Sequence, residues 1–396
     1  MSNPSKNVMK RVPPEVWWEI FEQVFSIEGL FTTTYQGNDW AGESAKLEVT
    51  DFESFQRADE QRRVLRSVCK LWKHLSDTVG RRLVPILLNN TEQCSSVTMD
   101  TLVNTWRVYI RSRVELPQSL VGMTVQWRVL RVFQGSSNEV EKVFHPHVRR
   151  LELLGSRSRM PHAPDNLINT LKSYENITWF RFTTTSPGSF GHCLEDDGGE
   201  RFTLPNLQVL FYRGTGAFHL PFYRLILPSL LHLTVSSSIS IDLFPLQSLI
   251  LAYGRTLRSL CISVSSRSNY TARSNLFGIE EGEDGYFPRW DLVPRLQELT
   301  IEGSGALKFH PLPPTHPLRV FGAQIWSIRK VSSWINSANN LKVLKMLHTA
   351  REPDGTLVRT DTDDILLILD SEELEELEEK AKSKGIQLVH GKDRRK

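Results

Sequence analysis

The sequence predicts a mixed α/β chain in which a small all-helical domain is followed by an array of short parallel strands. Two amphipathic helical stripes in the first 82 residues indicate the helical part. A proline-led strand frame that recurs from residue 146 onward, with helical segments between several strands, indicates the array. At 396 residues the chain is longer than one hydrophobic core usually serves, so we expect two domains.

The first predicted helix grows out of residues 12–21, where prolines lead into an apolar and aromatic stretch. Pro14 stands where the first helical turn tolerates a residue without an N–H, and Glu15 and Glu19 lie near the positive end of the helix dipole. Apolar residues recur every four positions in two adjacent rows, which are Val16, Ile20 and Val24, and Trp17, Phe21 and Phe25. The pattern predicts an amphipathic helix with a broad apolar face.

A second helix is predicted within residues 62–79. Its apolar positions step by three and four and are Leu65, Val68, Trp72, Leu75 and Val79. Two helices this short cannot bury both stripes against each other, so we expect an exposed apolar surface that seeks a partner. Either helix alone is also explained as a buried helix of an ordinary helical domain. Between them, residues 31–51 are rich in glycine and threonine and indicate a surface loop or a locally disordered insertion.

Both segments, taken in order, resemble the F-box motif. The matching residues are Val12-Pro13-x-Glu15-Val16-x-x-x-Ile20-Phe21, followed by Leu65-x-x-Val68-Cys69-Lys70-x-Trp72. Two features depart from the family, because Val12 stands where leucine is usual and residues 28–59 form a longer connection than usual. The resemblance implies that the helices bind a Skp-type adaptor protein, and through it a cullin. The implied contact residues are Val12, Pro13, Glu15, Val16, Ile20, Phe21, Val68 and Cys69.

The charge of the chain is small in sum but arranged in blocks. The formal net charge of +3 is too small to indicate nucleic acid or an anionic membrane as a partner. Residues 28–60 carry eight acidic residues against Lys46 and Arg57, whereas residues 61–82 carry seven Lys or Arg against Asp77. A basic helix therefore follows an acidic insertion.

The cysteines do not indicate a metal site. Cys69, Cys94, Cys193 and Cys261 are scattered and form no Cys-x-x-Cys pair, so we expect neither zinc nor a disulfide framework, and no cofactor. The longest apolar runs, such as residues 365–369, are far shorter than a membrane span, and the first residues lack an apolar leader. We therefore expect a cytoplasmic or nuclear protein.

The strand array is predicted from a repeated sequence frame, an apolar-x-x-apolar-x-apolar pattern. In four stretches a proline stands two residues before the first apolar position, namely residues 146–153, 205–212, 228–235 and 294–301. Related frames without it occur at residues 177–182, 257–262, 318–323 and 341–346. The second apolar position of each frame serves as its marker. These markers are separated by 22 to 39 residues and are Leu151, Phe180, Leu210, Leu233, Leu260, Leu299, Phe321 and Leu344. Most of these intervals suit leucine-rich repeats.

The frames resemble the irregular leucine-rich repeats often found behind an F-box. A strand and a helix per repeat, as predicted for residues 166–174, 246–253 and 328–337 with the strands that follow them, form a solenoid in which each unit needs neighbours to bury its apolar face. We therefore predict that Leu151, Leu210, Leu233, Leu260 and Leu299 are buried behind parallel strands. Residues beside these leucines should then face the concave side. The client-binding candidates there are Arg150, Glu152, Trp179, Arg181, Phe211, His232 and Glu298, and a solvated sheet face without a ligand is the alternative.

The predicted domains are an F-box domain at residues 9–82 with an insertion at 28–59, a solenoid at 146–390 and a basic tail at 391–396. Residues 83–145 form a transition region, in which residues 99–112 show helical spacing. A helix beginning near Ser371 carries acids first and lysines last and ends before Gly385, and residues 386–389 should form a last strand.

Catalytic motifs are not evident in the sequence. His192 and Cys193 lie beside acidic residues in a glycine-rich stretch that indicates a loop, so we do not expect a catalytic pair there. The residues are best interpreted as a non-enzymatic adaptor, and the resemblance implies a substrate receptor of a Skp-cullin-F-box ubiquitin ligase with an unknown protein client. Two alternatives stay open: an F-box scaffold without ubiquitination, and a repeat-type interaction protein whose N-terminal helices cap the solenoid.

Overall fold

The structure of the protein is a computed structural model that shows a mixed α/β chain with a large parallel sheet of 12 strands within its described part. It describes residues 13, 16–17, 63–68, 70, 72–74, 77, 86–88, 91–110, 114, 116–120, 122–133, 146–154, 170–184, 201–214, 224–237, 244–264, 290–302, 311–324, 328–351, 357–359 and 371–392. The chain divides into two compact units, Met1–Phe180 and Arg181–Lys396.

The first unit contains β1 (Ile86–Leu88), α1 (Thr91–Ser96), α2 (Met99–Asn104), β2 (Arg107–Ile110), a one-turn 3-10 helix (Gln118–Leu120), β3 (Val129–Phe133) and β4 (Arg150–Leu154). The unit boundary falls within β5 (Trp179–Thr184). The second unit contains β6 (Phe202–Thr203), β7 (Val209–Gly214), β8 (Leu225–Ile226), β9 (His232–Ser237), α3 (Phe244–Tyr253), β10 (Ser259–Val264), β11 (Glu298–Glu302), β12 (Val320–Gln324), α4 (Ile328–Ile335), β13 (Val343–Arg351), β14 (Leu357–Arg359), α5 (Ser371–Ser383) and β15 (Gln387–Lys392).

Strands β1 to β4 of the first unit pair in parallel with equivalent apolar residues side by side. Ile86 pairs with Val108, Val108 with Leu130, and Leu130 with Leu151, and the last three are fully buried. The hydrogen bonding at the start of each strand repeats as well. The Trp106 carbonyl accepts from the N–H groups of two successive residues at 2.8 and 2.9 Å, and the Arg128 and Arg149 carbonyls do the same one and two strands later.

The second unit continues this pattern within its own parallel strands β7, β9 to β13 and β15. Its column of paired residues is Leu210, Leu233, Leu260, Leu299, Phe321, Leu344 and Leu388. The first six of these side chains are at most 1% exposed. The predicted burial of the five marker leucines is thereby confirmed, as is parallel pairing of the strands that hold the last four of them.

Two helices of the second unit stand between strands at the predicted places. Helix α3 confirms the helix expected at residues 246–253, and α4 confirms the one expected at 328–337. Between residues 166 and 174, in contrast, the described helical turn is only three residues long, at 170–172. Gly254 follows α3, where a Cβ would overlap the carbonyl oxygens of Leu292 and Ile250, so the close approach of these segments requires glycine.

Helix α5 is confirmed as predicted and packs on α4. Gly385 follows its end with a φ of 68°, a left-handed conformation that suits glycine at a helix terminus. The buried residues Leu374, Leu377 and Ala381 form its apolar stripe. Lys384 Nζ donates to the carbonyls of Ile335 and Asn336 at 3.0 and 2.7 Å, which stabilises the end of α4.

The helical prediction for residues 99–112 is wrong beyond Asn104. Thr105 has an extended backbone with a ψ of 152°, and the chain enters strand β2 two residues later. Trp106, Val108 and Ile110 are buried on one face of the strand, and Arg107 and Tyr109 lie on the other face, where Arg107 is also buried and Tyr109 is half-buried. Residues 83–145, left unresolved by the sequence, thus contain three parallel strands.

Candidate functional sites

The described N-terminal residues form two helical segments joined by a pair of indole rings. The Pro13 carbonyl accepts from the N–H groups of Val16 and Trp17 at 3.1 and 3.3 Å, so the proline leads directly into a helical turn. The rings of Trp17 and Trp72 lie 5.3 Å apart at an interplanar angle of 58°. A tilted aromatic contact of this kind fixes the segments against each other through two large apolar surfaces.

Several apolar side chains of these segments face solvent. Val16 is 42% exposed and Val68 is 48% exposed, and Pro13 is exposed as well. Val64 is 65% exposed and lies one helical turn before Val68, on the same side. We call Pro13, Val16, Val64 and Val68 the N-terminal apolar set. Val64 was missed by the sequence reasoning, although its four-residue spacing from Val68 is a visible signal.

The remaining adaptor-binding candidates, Val12, Glu15, Ile20, Phe21 and Cys69, lie outside the described residues, as does the insertion at 28–59.

The second helical segment also has a basic side. Its positively charged residues Arg63, Arg66, Lys70 and Lys73 recur at steps of three and four, and Arg66 Nε lies 2.9 Å from a carboxylate oxygen of Asp77.

A cluster of arginines and aromatic rings occupies the sheet face of the first unit opposite the leucine column. The cross-strand register places Tyr109 beside Arg131 and Arg131 beside Glu152. Glu152 is 0% exposed and accepts from Arg131 Nε at 2.9 Å, from Arg131 Nη2 at 3.2 Å and from Arg150 Nε at 2.8 Å. One carboxylate therefore orients two guanidinium groups.

Aromatic rings hold the same guanidinium groups from other directions. The Arg131 Cζ lies 4.7 Å from the ring centre of Tyr109, and the Arg150 Cζ lies 4.3 Å from that of Trp179. Arg107 donates to the Tyr109 hydroxyl and its Cζ lies 5.5 Å from the same ring. We call Arg107, Tyr109, Arg131, Arg150, Glu152 and Trp179 the arginine cluster. Its geometry suits recognition of an anion or of an aromatic side chain.

The second unit presents smaller side chains at the equivalent positions of its sheet. Thr234, Cys261, Thr300 and Gly322 pair in sequence across four strands, and Gly322 pairs with Lys345. At the β7 end of this row, the Arg181 Cζ lies 4.7 Å from the ring centre of Phe211. The row therefore has the Arg181 cation and the Phe211 ring at its β7 end, small side chains from β9 to β12, and the buried Lys345 on β13.

Two ionisable groups flank this row. Burial lowers the pKa of His232 to about 4, with a further contribution from the charge of Arg258, so the imidazole is neutral at neutral pH. Burial raises the pKa of Glu298, and the charge of Lys345 partly opposes that rise. Both groups are client-binding candidates, and their surroundings favour uncharged forms.

The seven client-binding candidates lie beside the leucine columns, as their strand positions require, but they are less exposed than a solvated sheet face would be. Arg150, Glu152, Arg181, Phe211 and His232 are buried, and Trp179 and Glu298 are half-buried. Cross-strand neighbours provide this burial, because long side chains lie over one another on the same face. Arg107, Tyr109 and Arg131 were missed because they belong to the range that the sequence left unresolved.

Comparison with known proteins adds no assignment: no protein-family model and no curated protein matches the chain. Within the described segments, no helix is long and apolar enough to cross a membrane. His192 and Cys193 lie outside the described residues.

Proposed function

We propose that the chain is a non-enzymatic substrate receptor of a Skp-cullin-F-box ubiquitin ligase. The N-terminal helices would form an F-box that binds the Skp-type adaptor, and the sheet would belong to an irregular leucine-rich-repeat solenoid that presents a protein client. The observation that carries the proposal is the exposure of the N-terminal apolar set on two helical segments that are joined by the Trp17–Trp72 contact.

The exposed apolar residues support a protein partner at the N-terminus. Single exposed valines are common on protein surfaces, but here three valines of two joined helical segments, Val16, Val64 and Val68, are each at least two-fifths exposed. Pro13 has a fixed φ and precedes the helical turn, so it is an apolar contact that loses little conformational freedom on binding. These are the properties of a preorganised docking surface.

The repeated strand geometry supports the solenoid part of the proposal. In each unit the leucine column, the parallel register and the shared carbonyl at each strand entry recur with successive strands. A single strand with its connecting segment cannot bury its own apolar face, so burial of Leu130 or Leu260 depends on the strands on either side. This dependence is the physical basis of a repeat array.

The sheet face supports the client-binding part. Arginine and aromatic residues contribute most to protein interfaces, and the arginine cluster concentrates them on adjacent strands of the first unit. In the second unit Arg181 and Phe211 form a similar pair. The catalytic step of ubiquitin transfer would be performed by partners of the complex.

Co-purification tests the proposal. The full chain is captured from cells by an affinity tag, and the Skp-type adaptor and the cullin are detected with specific antibodies. We expect both. Adaptor without cullin would favour the F-box scaffold, and neither partner would contradict the proposal and favour a repeat-type interaction protein with a helical cap.

A further inference from the structure

A row of cations lies along one edge of the second unit's sheet, at the points where strands β10 to β13 begin. The Arg258 carbonyl accepts from the Gln297 N–H at 2.8 Å, and the Gln297 carbonyl accepts from the Arg319 N–H at the same distance. The Arg319 carbonyl in turn accepts from the Lys342 N–H at 2.8 Å. Neighbouring strands are about 5 Å apart, so the row from Arg258 to Lys342 spans about 15 Å.

Two further cations stand in the turns that precede these strands. Arg255 lies in the turn before β10, and Arg295 lies in the turn before β11. Both are exposed, as are the three charged members of the row. We call these five residues the basic rim, which consists of Arg255, Arg258, Arg295, Arg319 and Lys342.

The positive charge of the basic rim is not neutralised within the described part of the chain. None of its five charged groups forms an ion pair or a hydrogen bond there, and Arg258 acts only on the neutral imidazole of His232. The described turns and strand starts at this edge contain one acidic residue, Asp291, which already takes part in another interaction. These segments are residues 254–258, 290–297, 311–319 and 336–342.

Side-chain hydrogen bonds hold the turns of this edge in place. His316 Nε2 bonds to the Val293 carbonyl at 3.1 Å, and His316 Nδ1 accepts from the Leu318 N–H at 3.3 Å. The imidazole thereby joins the turn before β12 to the turn before β11. From the turn before β13, Asn340 Nδ2 donates to the His316 carbonyl at 2.8 Å. The backbone that carries the cations is thus fixed before a ligand binds, which lowers the ordering cost of binding.

The surroundings of the basic rim favour a polypeptide over a nucleic acid. Proteins that bind single-stranded nucleic acids add exposed aromatic rings to their cations, so that bases can stack. In the described segments of this edge the aromatic side chains are Trp290 and His316, and both are buried. Exposed prolines stand there instead and offer rigid apolar contacts, and they are Pro294, Pro311, Pro313 and Pro314.

We propose that the basic rim binds an extended acidic segment of a polypeptide, with carboxylates opposite Arg258, Arg319 and Lys342. An extended chain places alternate side chains on one side about 7 Å apart, so three carboxylates cover about 13 Å, close to the length of the row. Arg255 and Arg295 add to the positive field that attracts the segment. The site goes beyond the proposed function, because it holds whether or not the N-terminal segments bind an adaptor.

Fluorescence anisotropy at low ionic strength, with the full-length chain and a rhodamine-labelled octaglutamate peptide, tests the inference. Octaglutamate should bind, and a glycine–serine peptide of the same length should not. Combined Arg319→Gln and Lys342→Gln should weaken binding by about 5-fold or more, because each exposed ion pair contributes a factor of about 1.5 to 5. Combined Arg201→Gln and Arg213→Gln is the matched control, since it removes two exposed arginines outside the basic rim, and should bind like wild type.

Circular dichroism compares the folding of both double variants with that of wild type. If the rim variant does not fold, combined Arg258→Gln and Lys342→Gln takes its place with the same expectation. A labelled oligothymidylate is titrated in parallel, and tighter binding of this probe than of octaglutamate would assign the basic rim to nucleic acid and overturn the inference. Absence of octaglutamate binding to wild type, or equal weakening in the rim variant and the control, would also overturn it.

Discussion

The two units share one backbone pattern but differ in the side chains on the sheet face opposite their leucine columns. In the first unit Arg131, Arg150 and Glu152 form a buried charged cluster with aromatic rings. In the second unit the equivalent row contains threonine, cysteine and glycine from Thr234 to Gly322 and ends at the buried Lys345. The difference shows that the leucine column determines the fold, whereas the opposite face can vary in chemistry.

The two faces should also differ in energetic cost. Buried ion pairs often contribute less stability than well-packed apolar residues of similar volume. The arginine cluster should therefore stabilise the sheet less than apolar side chains at the same positions would. The threonine, cysteine and glycine positions of the second unit carry no buried charge, and Lys345 is the buried cation at the end of their row. We interpret the cluster as a feature retained for recognition, and the following substitutions test the contrast.

Glu152→Gln should have the largest effect. It leaves the buried guanidinium groups of Arg131 and Arg150 without their shared carboxylate, and breaking such a pair costs about 3–5 kcal/mol. Urea denaturation at pH 7 measures the loss, with Glu375→Gln on the exposed side of α5 as the control. A loss below about 0.5 kcal/mol, the size of a surface change, would remove the cluster from the folded core.

Leu233→Ala in the second unit and Leu130→Ala in the first should have effects of similar size, because both belong to a leucine column and are at most 1% exposed. Each truncation should reduce the free energy of unfolding by about 2–5 kcal/mol. The same denaturation experiment compares them. If only one of the pair is costly, the two columns are not equivalent.

The buried imidazole of His232 should make stability depend on pH. Its pKa is about 4 in the folded chain against 6.5 in the unfolded one, so the unfolded state binds more protons between these values. Stability should therefore be fully present above pH 6.5 and decrease as the pH falls towards 4. Between pH 7 and pH 5, wild type should lose about 1–2 kcal/mol more than His232→Gln, which does not titrate. Parallel curves for the two proteins would contradict this burial.

Thr234→Val should have the smallest effect. The Thr234 hydroxyl is buried and has no hydrogen-bond partner in the described part of the chain, so an apolar group of the same shape should change stability by less than about 0.5 kcal/mol or increase it slightly. Arg131→Met, the corresponding apolar replacement in the arginine cluster, should in contrast destabilise because Glu152 loses a partner. Equal changes in the free energy of unfolding for the two substitutions would contradict the proposed difference between the two sheet faces.

The elements that the sequence predicted well are those with a local signal. The shared proline offset identified Leu210, Leu233 and Leu299, and helix α5 was visible from its charge order and Gly385. Strand β2 was missed because Leu102, Trp106 and Tyr109 recur at helical spacing, and only pairing with β1 and β3 makes the strand stable.

The candidate sites divide in the same way. Val16 and Val68 follow from helical spacing within one segment and are exposed as a docking surface requires. The arginine cluster depends on residues 20 or more positions apart, such as Arg131 and Glu152, that meet only through the cross-strand register. Neither their contact nor their burial is encoded in a local pattern, so the sequence analysis named Arg150, Glu152 and Trp179 but not Arg107, Tyr109 and Arg131.

Titration of the full-length chain with the purified Skp-type adaptor tests the proposed function most directly. Wild type should bind at micromolar concentration or below. Combined Pro13→Ala, Val16→Ala and Val68→Ala should weaken binding by about 2–4 kcal/mol, because these side chains form the proposed contact. Leu251→Ala, which truncates an apolar residue of α3 that is 58% exposed, is the control and should bind like wild type. No association of wild type at micromolar concentration, or equal affinity of the triple variant, would contradict the F-box assignment.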